Sequence, residues 1–296
     1  MQKEKTVFYK SALAASSLFV VGNAIIVLPA KTADKYTLLG LGIAAITGIL
    51  LNIILLPLAY SLYDKRKMGG CIQKLCKTVI FLIIAVAALF FAADTFEDFL
   101  YFVNSLILPE IPLTAITLTF AFIIAFFFYK RQEDVLKFSF LCFVFMLLAV
   151  LFFFLCMSGN FDVQNIIIRS LPDLKELKNS ILPYLLKATL PGVLLPFYHT
   201  AVIGKRAGSA CVIGTAAGYM VLCLCVIPCV LLFSPALAGN LSYPYASAVS
   251  TVTVGKIFTR LDGFSYFLYF SAALSKINIC LFTVKFTLKK LSQLYR

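Results

Sequence analysis

Two short stretches place helix-breaking residues inside apolar runs. One reads Val20-Val21-Gly22-Asn23-Ala24-Ile25-Ile26-Val27-Leu28-Pro29, the other Leu190-Pro191-Gly192-Val193-Leu194-Leu195-Pro196-Phe197-Tyr198-His199. Proline supplies no N–H to a helix ladder, and glycine loosens the backbone around it. In hydrocarbon the groups so freed survive only beside protein or a watery cavity. There, amides at one half-helix end hold a carboxylate, while exposed carbonyls hold a cation or an ammonium. A small zwitterion needs both. If neighbouring side chains fill the gaps instead, the same prolines are plain kinks.

Polar side chains near these breaks complete the candidate set. Lys276 sits mid-run in Ala272-Ala273-Leu274-Ser275-Lys276-Ile277-Asn278. A buried ammonium costs at least about 2.5–3.5 kcal/mol on insertion scales, so it must face a cavity or a partner. It suits either the place of a coupling cation or contact with a carboxylate. His199 offers a titratable group or a plain structural hydrogen bond. Asn23 offers a ligand contact or satisfies the broken backbone. The candidate ligand-binding residues are therefore Gly22, Asn23, Ala24, Pro191, Gly192, Tyr198, His199 and Lys276, with Pro29, Pro196, Arg260 and Asp262 as structural or gating positions. Arg260 and Asp262 lie two apart, so on a helix they diverge and each pairs elsewhere. Their segment, from Ser250 to Asp262, is amphipathic and reads as an interfacial helix.

Other chemistries find little material. One histidine and 13 acidic residues offer no metal-ligand cluster, and the nine cysteines form no Cys-x-x-Cys pair. Cysteine reads as a small apolar packing residue. No nucleophile, base and orienting group occur together, so neither catalysis nor a cofactor is expected. Gly69-Gly70 and Gly204-x-x-x-Gly208 lack the Lys-Ser/Thr of a phosphate loop.

The elements that must position these residues are membrane spans. Of the 296 residues 61% are hydrophobic and 13% charged, against roughly 45–50% and 25% in a soluble domain. Mean hydropathy is +0.97. The chain reads as an all-α polytopic membrane protein, one integral membrane domain over 1–296. About eight spans are expected, near 11–30, 37–62, 77–105, 112–129, 138–157, 181–203, 208–233 and 264–285. The third is clearly apolar only to Ala93; Asp94, Glu97 and Asp98 then predict an acidic end that leaves the bilayer, or a kink. The loop 158–180 carries an amphipathic stretch, Ile166 to Leu177, expected to lie as an external surface helix. Lys3, Lys5 and Lys10 precede the first run as in a signal peptide, but no small-residue cleavage site follows Pro29, so a span is the reading. Seventeen of the 26 basic residues fall on the side that holds both termini, which makes that side cytoplasmic. The net charge of +13 lies in short loops, not on a soluble face, so it reads as topology with a lipid bilayer as partner and no nucleic acid.

These residues together resemble the spore germination permeases, the B subunits of nutrient germinant receptors, within the amino acid–polyamine–organocation transporter superfamily. Gly22 to Pro29 has the Gly-x(5)-Leu-Pro form of the family's first-helix break. Leu108-Pro109-Glu110-Ile111-Pro112 is similar to its motif ahead of helix four. Asn160-Phe161, with Leu171-Pro172 beyond, resembles its loop after helix five. Tyr243-Pro244 through Thr253-Val254-Gly255-Lys256-Ile257-Phe258-Thr259-Arg260-Leu261-Asp262, then Lys276, looks like its approach to helix eight. The resemblance spans essentially the whole chain and implies a LeuT-like inverted-repeat fold with broken helices one and six. Two departures stand out. Eight spans replace the family's usual ten, the last two being missing, and Tyr198-His199 stands where many members carry an acidic residue past the sixth-helix break.

What the resemblance implies is a membrane subunit of a germinant receptor, in the spore inner membrane or cell membrane. It would sense a small nutrient, an amino acid above all, in a midplane pocket, with receptor A and C subunits as partners. An amino-acid transporter working by alternating access, or a membrane scaffold that binds no ligand, are the alternatives.

Overall fold

The computed structural model describes residues 2–22, 24–26, 36–63, 71–166, 173–203, 207–233, 235–252 and 262–294. Among these every regular element is helical. The main helices are α1 (Gln2–Val21), α2 (Thr37–Tyr63), α3 (Cys71–Phe102), α4 (Leu113–Tyr129), α5 (Gln132–Met157), α6 (Leu174–Tyr184), α7 (Leu195–Ile203), α8 (Ala207–Leu232), α9 (Pro244–Ser250) and α10 (Asp262–Leu294). Among the described residues six stretches are long and apolar enough to cross a bilayer: Thr37–Tyr63, Gln73–Ile107, Gln132–Asn160, Lys175–Ile203, Gly208–Leu232 and Gly263–Gln293. Tyr9–Val21 and Leu113–Tyr129 are apolar but shorter. The chain is an all-α polytopic membrane protein. Its helices satisfy their own backbone groups, as hydrocarbon demands. Large apolar side chains such as Phe122, Leu148 and Leu155 stand on the outer faces of α4 and α5, where lipid rather than water is the favourable neighbour.

Several elements differ from the sequence reading. Helix α5 begins at Gln132, not near 138, with Glu133 and Asp134 in its first turn, where the helix dipole favours acidic groups. Within the loop read as a surface helix over 166–177, Val163–Ile166 is one 3-10 turn. Residues 167–172 of that stretch lie outside the described residues, and from Leu174 onward the chain is already the opening of α6. The last span extends to Leu294. Helix α3, by contrast, is long as expected: it runs through its acidic residues to Phe102 and ends in a π-helical turn, Val103–Ile107. The interfacial helix expected before span eight falls mainly on 253–261, outside the described residues.

The interior is organised around α1 and α10. Helix α1 packs most extensively on α8, then on α5 and α10, while α10 packs most on α3. The α1–α8 seam is close because α8 presents glycines to it. A Cβ built on Gly214 would lie 2.5 Å from the Ser16 Cβ and 2.7 Å from the Leu13 carbonyl oxygen. One on Gly218 would lie 2.7 Å from the Val20 Cβ and 2.8 Å from the Ser17 carbonyl. Ser17 Oγ donates to the Gly214 carbonyl at 2.9 Å. Small residues four apart let two backbones approach where hydrophobic exclusion gives no net attraction between helices. This seam carries the end of α1 into the middle of the molecule.

A candidate ligand site where two helices break

Helix α1 ends at Gly22. Its N–H still donates to the Leu18 carbonyl at 2.7 Å, but its φ of +28° turns the chain into the left-handed region that glycine tolerates. The missing side chain matters as much as the turn. A Cβ at Gly22 would sit 2.4 Å from Cδ of Lys276, so the lysine stem of α10 occupies the space that glycine leaves. Lys276 is wholly buried. Its Nζ donates to the Lys187 carbonyl at 2.9 Å and lies 5.6 Å from the Phe19 ring centroid, within reach of a cation–π attraction.

That carbonyl is available for a reason written in the sequence. Its ordinary α-helical donor would be the N–H of residue 191, and residue 191 is proline. Around it the ladder slips: Leu185–Thr189 forms a π turn, closed by the Leu190 N–H on the Leu185 carbonyl. One turn, Leu190–Gly192, follows, and Val193 and Leu194 then donate to Leu190 and Pro191 carbonyls at 3.2 and 3.0 Å before α7 starts. The sixth span is therefore interrupted but not unwound, since bonds five and three residues apart close most of what the prolines open. Pro196 removes the donor for the Gly192 carbonyl in the same way, and its own carbonyl accepts from Thr200 Oγ1 at 2.6 Å. Gly192 is buried, yet a Cβ there would meet nothing within 4 Å. There is room beside the break.

The Lys187 side chain reaches the other way. Its ammonium donates to Asp94 Oδ1 at 2.6 Å and Asp98 Oδ2 at 2.7 Å. All three side chains are partly buried, 19–29% exposed. The acidic residues of the third span thus pair with a lysine of the sixth. Sequence reasoning missed this group. The available signal was the i, i+4 spacing of Asp94 and Asp98, which puts both on one helix face, together with a lysine in the middle of span six. Thr189, at the end of the π turn, was also missed. Its hydroxyl donates to the Ala44 carbonyl at 3.1 Å and pairs with the Tyr219 hydroxyl, tying the turn to α2 and α8.

The expected site residues therefore divide. Gly22, Lys276 and, through Lys187, Pro191 come together, with Gly192 beside open space and Ala24 buried just past the turn. Tyr198 and His199 lie elsewhere. The Tyr198 hydroxyl accepts from Gln132 Nε2 at 3.4 Å. His199 Nε2 pairs with Ser16 Oγ, six residues before Gly22 and so about 9 Å along α1 at 1.5 Å per residue. His199 is fully buried, and its Nδ1 has no hydrogen-bond partner. Asn23, Pro29 and Arg260 lie outside the described residues. Asp262 opens α10. Among the described residues no three His, Cys, Asp or Glu side chains are placed to hold a metal.

A buried ammonium seated on a helix carbonyl, where the first and sixth spans are interrupted, can receive an anionic group. The adjacent carboxylate pair can receive a cationic one. A family model described as spore germination protein matches residues 9–294. The chain belongs to this family of spore germination membrane proteins. Comparison with curated proteins finds no match.

Proposed function

We propose that the chain is the membrane subunit of a spore nutrient-germinant receptor, and that it senses a small nutrient of the amino-acid class where helices one and six are interrupted. The observation that carries this reading is the Lys276 ammonium, buried between the two breaks and held by the carbonyl that Pro191 deprives of its helical donor. A ligand carboxylate is a stronger acceptor for an ammonium than a neutral carbonyl, so a nutrient entering the space by Gly192 has a group to take over. Binding then shifts the balance between two arrangements of the broken spans in proportion to its different affinity for each. In this reading the frame is the LeuT-like inverted repeat, the termini are cytoplasmic, the bilayer is the spore inner membrane, and A and C receptor subunits read out the shift.

The experiment compares dormant spores with and without the gene, exposed to amino acids, sugars and nucleosides, following optical density and dipicolinate release. Loss of response to one nutrient class, restored by the wild-type gene, supports the receptor. Full response to every class in a strain lacking paralogues overturns it. Uptake of the nutrient by the purified chain in liposomes would point to a transporter instead.

A further inference from the structure

Lys187 is held twice. Its carbonyl accepts from Lys276 of α10, and its ammonium is gripped by Asp94 and Asp98 of α3. It sits in a π turn, a helix irregularity concentrated at functional positions, and the turn's own backbone pairing is weakened by Pro191. Helix α10 packs most extensively on α3, so the two anchors belong to one contiguous body, and the π turn of the sixth span is tied to it through Lys187, while α7 farther along the span also packs on α10. We propose that Lys187 is a latch: the α3–α10 pair holds the interrupted sixth span closed through the Lys187 ion pairs, and release of these pairs opens the space beside Gly192. The role assigned to the opening rests on the nutrient-sensing reading; the latch itself rests on the geometry.

The two restraints are coupled through the backbone of Lys187. Movement of the π turn away from α10 lengthens the carbonyl contact and drags the ammonium from its two carboxylates. A carboxylate ligand that draws Lys276 off the Lys187 carbonyl leaves Lys187 held to the α3–α10 pair by its ion pairs. A cationic group brought to Asp94 and Asp98 competes for the second. The broken span thus has two arrangements that differ by discrete contacts, as a switch element requires.

Thiol labelling reads the latch without any nutrient. In the full chain in membranes, Gly192→Cys places a thiol in the open space, and the labelling rate of its peptide is followed by mass spectrometry. In this background Lys187→Met, and separately Asp94→Asn with Asp98→Asn, should raise the rate at residue 192 about ten-fold, the effect of about 1.4 kcal/mol on an opening equilibrium. Lys187→Arg keeps the charge and should stay near the parent rate. Cys211 of α8, fully buried, serves as the internal control and should not change. An unchanged rate at 192 in both neutralised variants overturns the latch. So does an equal rise at Cys211, which means that the ion pairs simply staple the fold. A rise at 192 in a chain whose deletion leaves spore responses intact keeps the latch and removes the sensor reading; the opposite pattern keeps the sensor and removes the latch.

Discussion

Lys276 passes directly over Gly22, its Cδ 2.4 Å from where a glycine side chain would begin. The break in α1 and the buried ammonium of α10 are therefore one feature. Neither is free to vary alone, because any Cβ at residue 22 must displace the lysine stem and also accept a φ of +28°. Gly22→Ala should destabilise the protein by roughly 1–3 kcal/mol, the usual range for a side chain forced into such backbone. Thermal unfolding in detergent measures it. Trimming the stem with Lys276→Ala should remove part of the Gly22→Ala penalty, a non-additivity expected of residues in contact. Strict additivity would show that the backbone turn, not the crossing, sets the cost.

Gly192 is the opposite case. It is buried, but a Cβ there meets nothing within 4 Å, and its backbone is helical. Gly192→Ala should be neutral or stabilising by up to about 1 kcal/mol, since alanine is the better helix former. Gly192→Leu should fill the space and abolish the nutrient response of spores while the protein still inserts and melts normally. A full response in the leucine variant would move the pocket elsewhere.

For Lys276, charge and shape separate cleanly. Lys276→Met keeps the stem over Gly22 and removes the group that donates to the Lys187 carbonyl. The dose of nutrient needed for half-maximal germination should rise at least about ten-fold, equivalent to about 1.4 kcal/mol of lost binding. Burying a methionine in place of a charge is not itself costly, so thermal stability should hold or improve. An unchanged dose curve returns Lys276 to a structural role.

The broad architecture was legible because its signal is composition. Long apolar runs fix spanning helices wherever they fold, and α2, α4 and α8 lie where the runs predict. The glycine and proline punctuation at Gly22 and Pro191 also found the two breaks, because proline's missing donor is local chemistry. What stayed hidden depends on partners far apart in sequence. The pairing of Asp94 and Asp98 stayed hidden, since nothing local shows that Lys187, some ninety positions on, faces them. His199 looked like part of the sixth-helix break, and its Nε2 pairs with Ser16 of α1, a partner far away in sequence that no local signal shows. The Gly214–Gly218 pair was overlooked among many small residues in an apolar run, where its use becomes evident only against α1.

Ser16 and His199 make a buried hydrogen bond between α1 and α7. His199 is fully buried, and its Nδ1 is already without a hydrogen-bond partner. Ser16→Ala therefore takes the Ser16 hydroxyl from Nε2 as well and should cost about 1–3 kcal/mol, the penalty for a buried polar group left unpaired. His199→Phe combined with Ser16→Ala removes the polar group along with its partner and should cost less than Ser16→Ala alone. Detergent melting of the three variants decides this, and a double variant no more stable than the single one would show that packing, not pairing, holds the site.

Ser16 also faces Gly214, which links this pair to the seam that positions α1. A Cβ on Gly214 would lie 2.5 Å from the Ser16 Cβ and 2.7 Å from the Leu13 carbonyl. One neighbour is a side chain that can be trimmed; the other is backbone that cannot. Gly214→Ala should push α1 from α8 and destabilise by about 1–3 kcal/mol, as overpacking does. Ser16→Gly has its own cost through His199, so only a double-mutant cycle isolates the contact. The double variant should be more stable than the sum of the two losses predicts, but still below wild type, because the Leu13 carbonyl remains in the way. Because the seam sets how far the Gly22 turn reaches toward Lys276, Gly214→Ala should also weaken the nutrient response, and Ser16→Gly should recover part of it. Recovery of stability without any recovery of response would mean that the α1–α8 seam supports the fold without aiming the break.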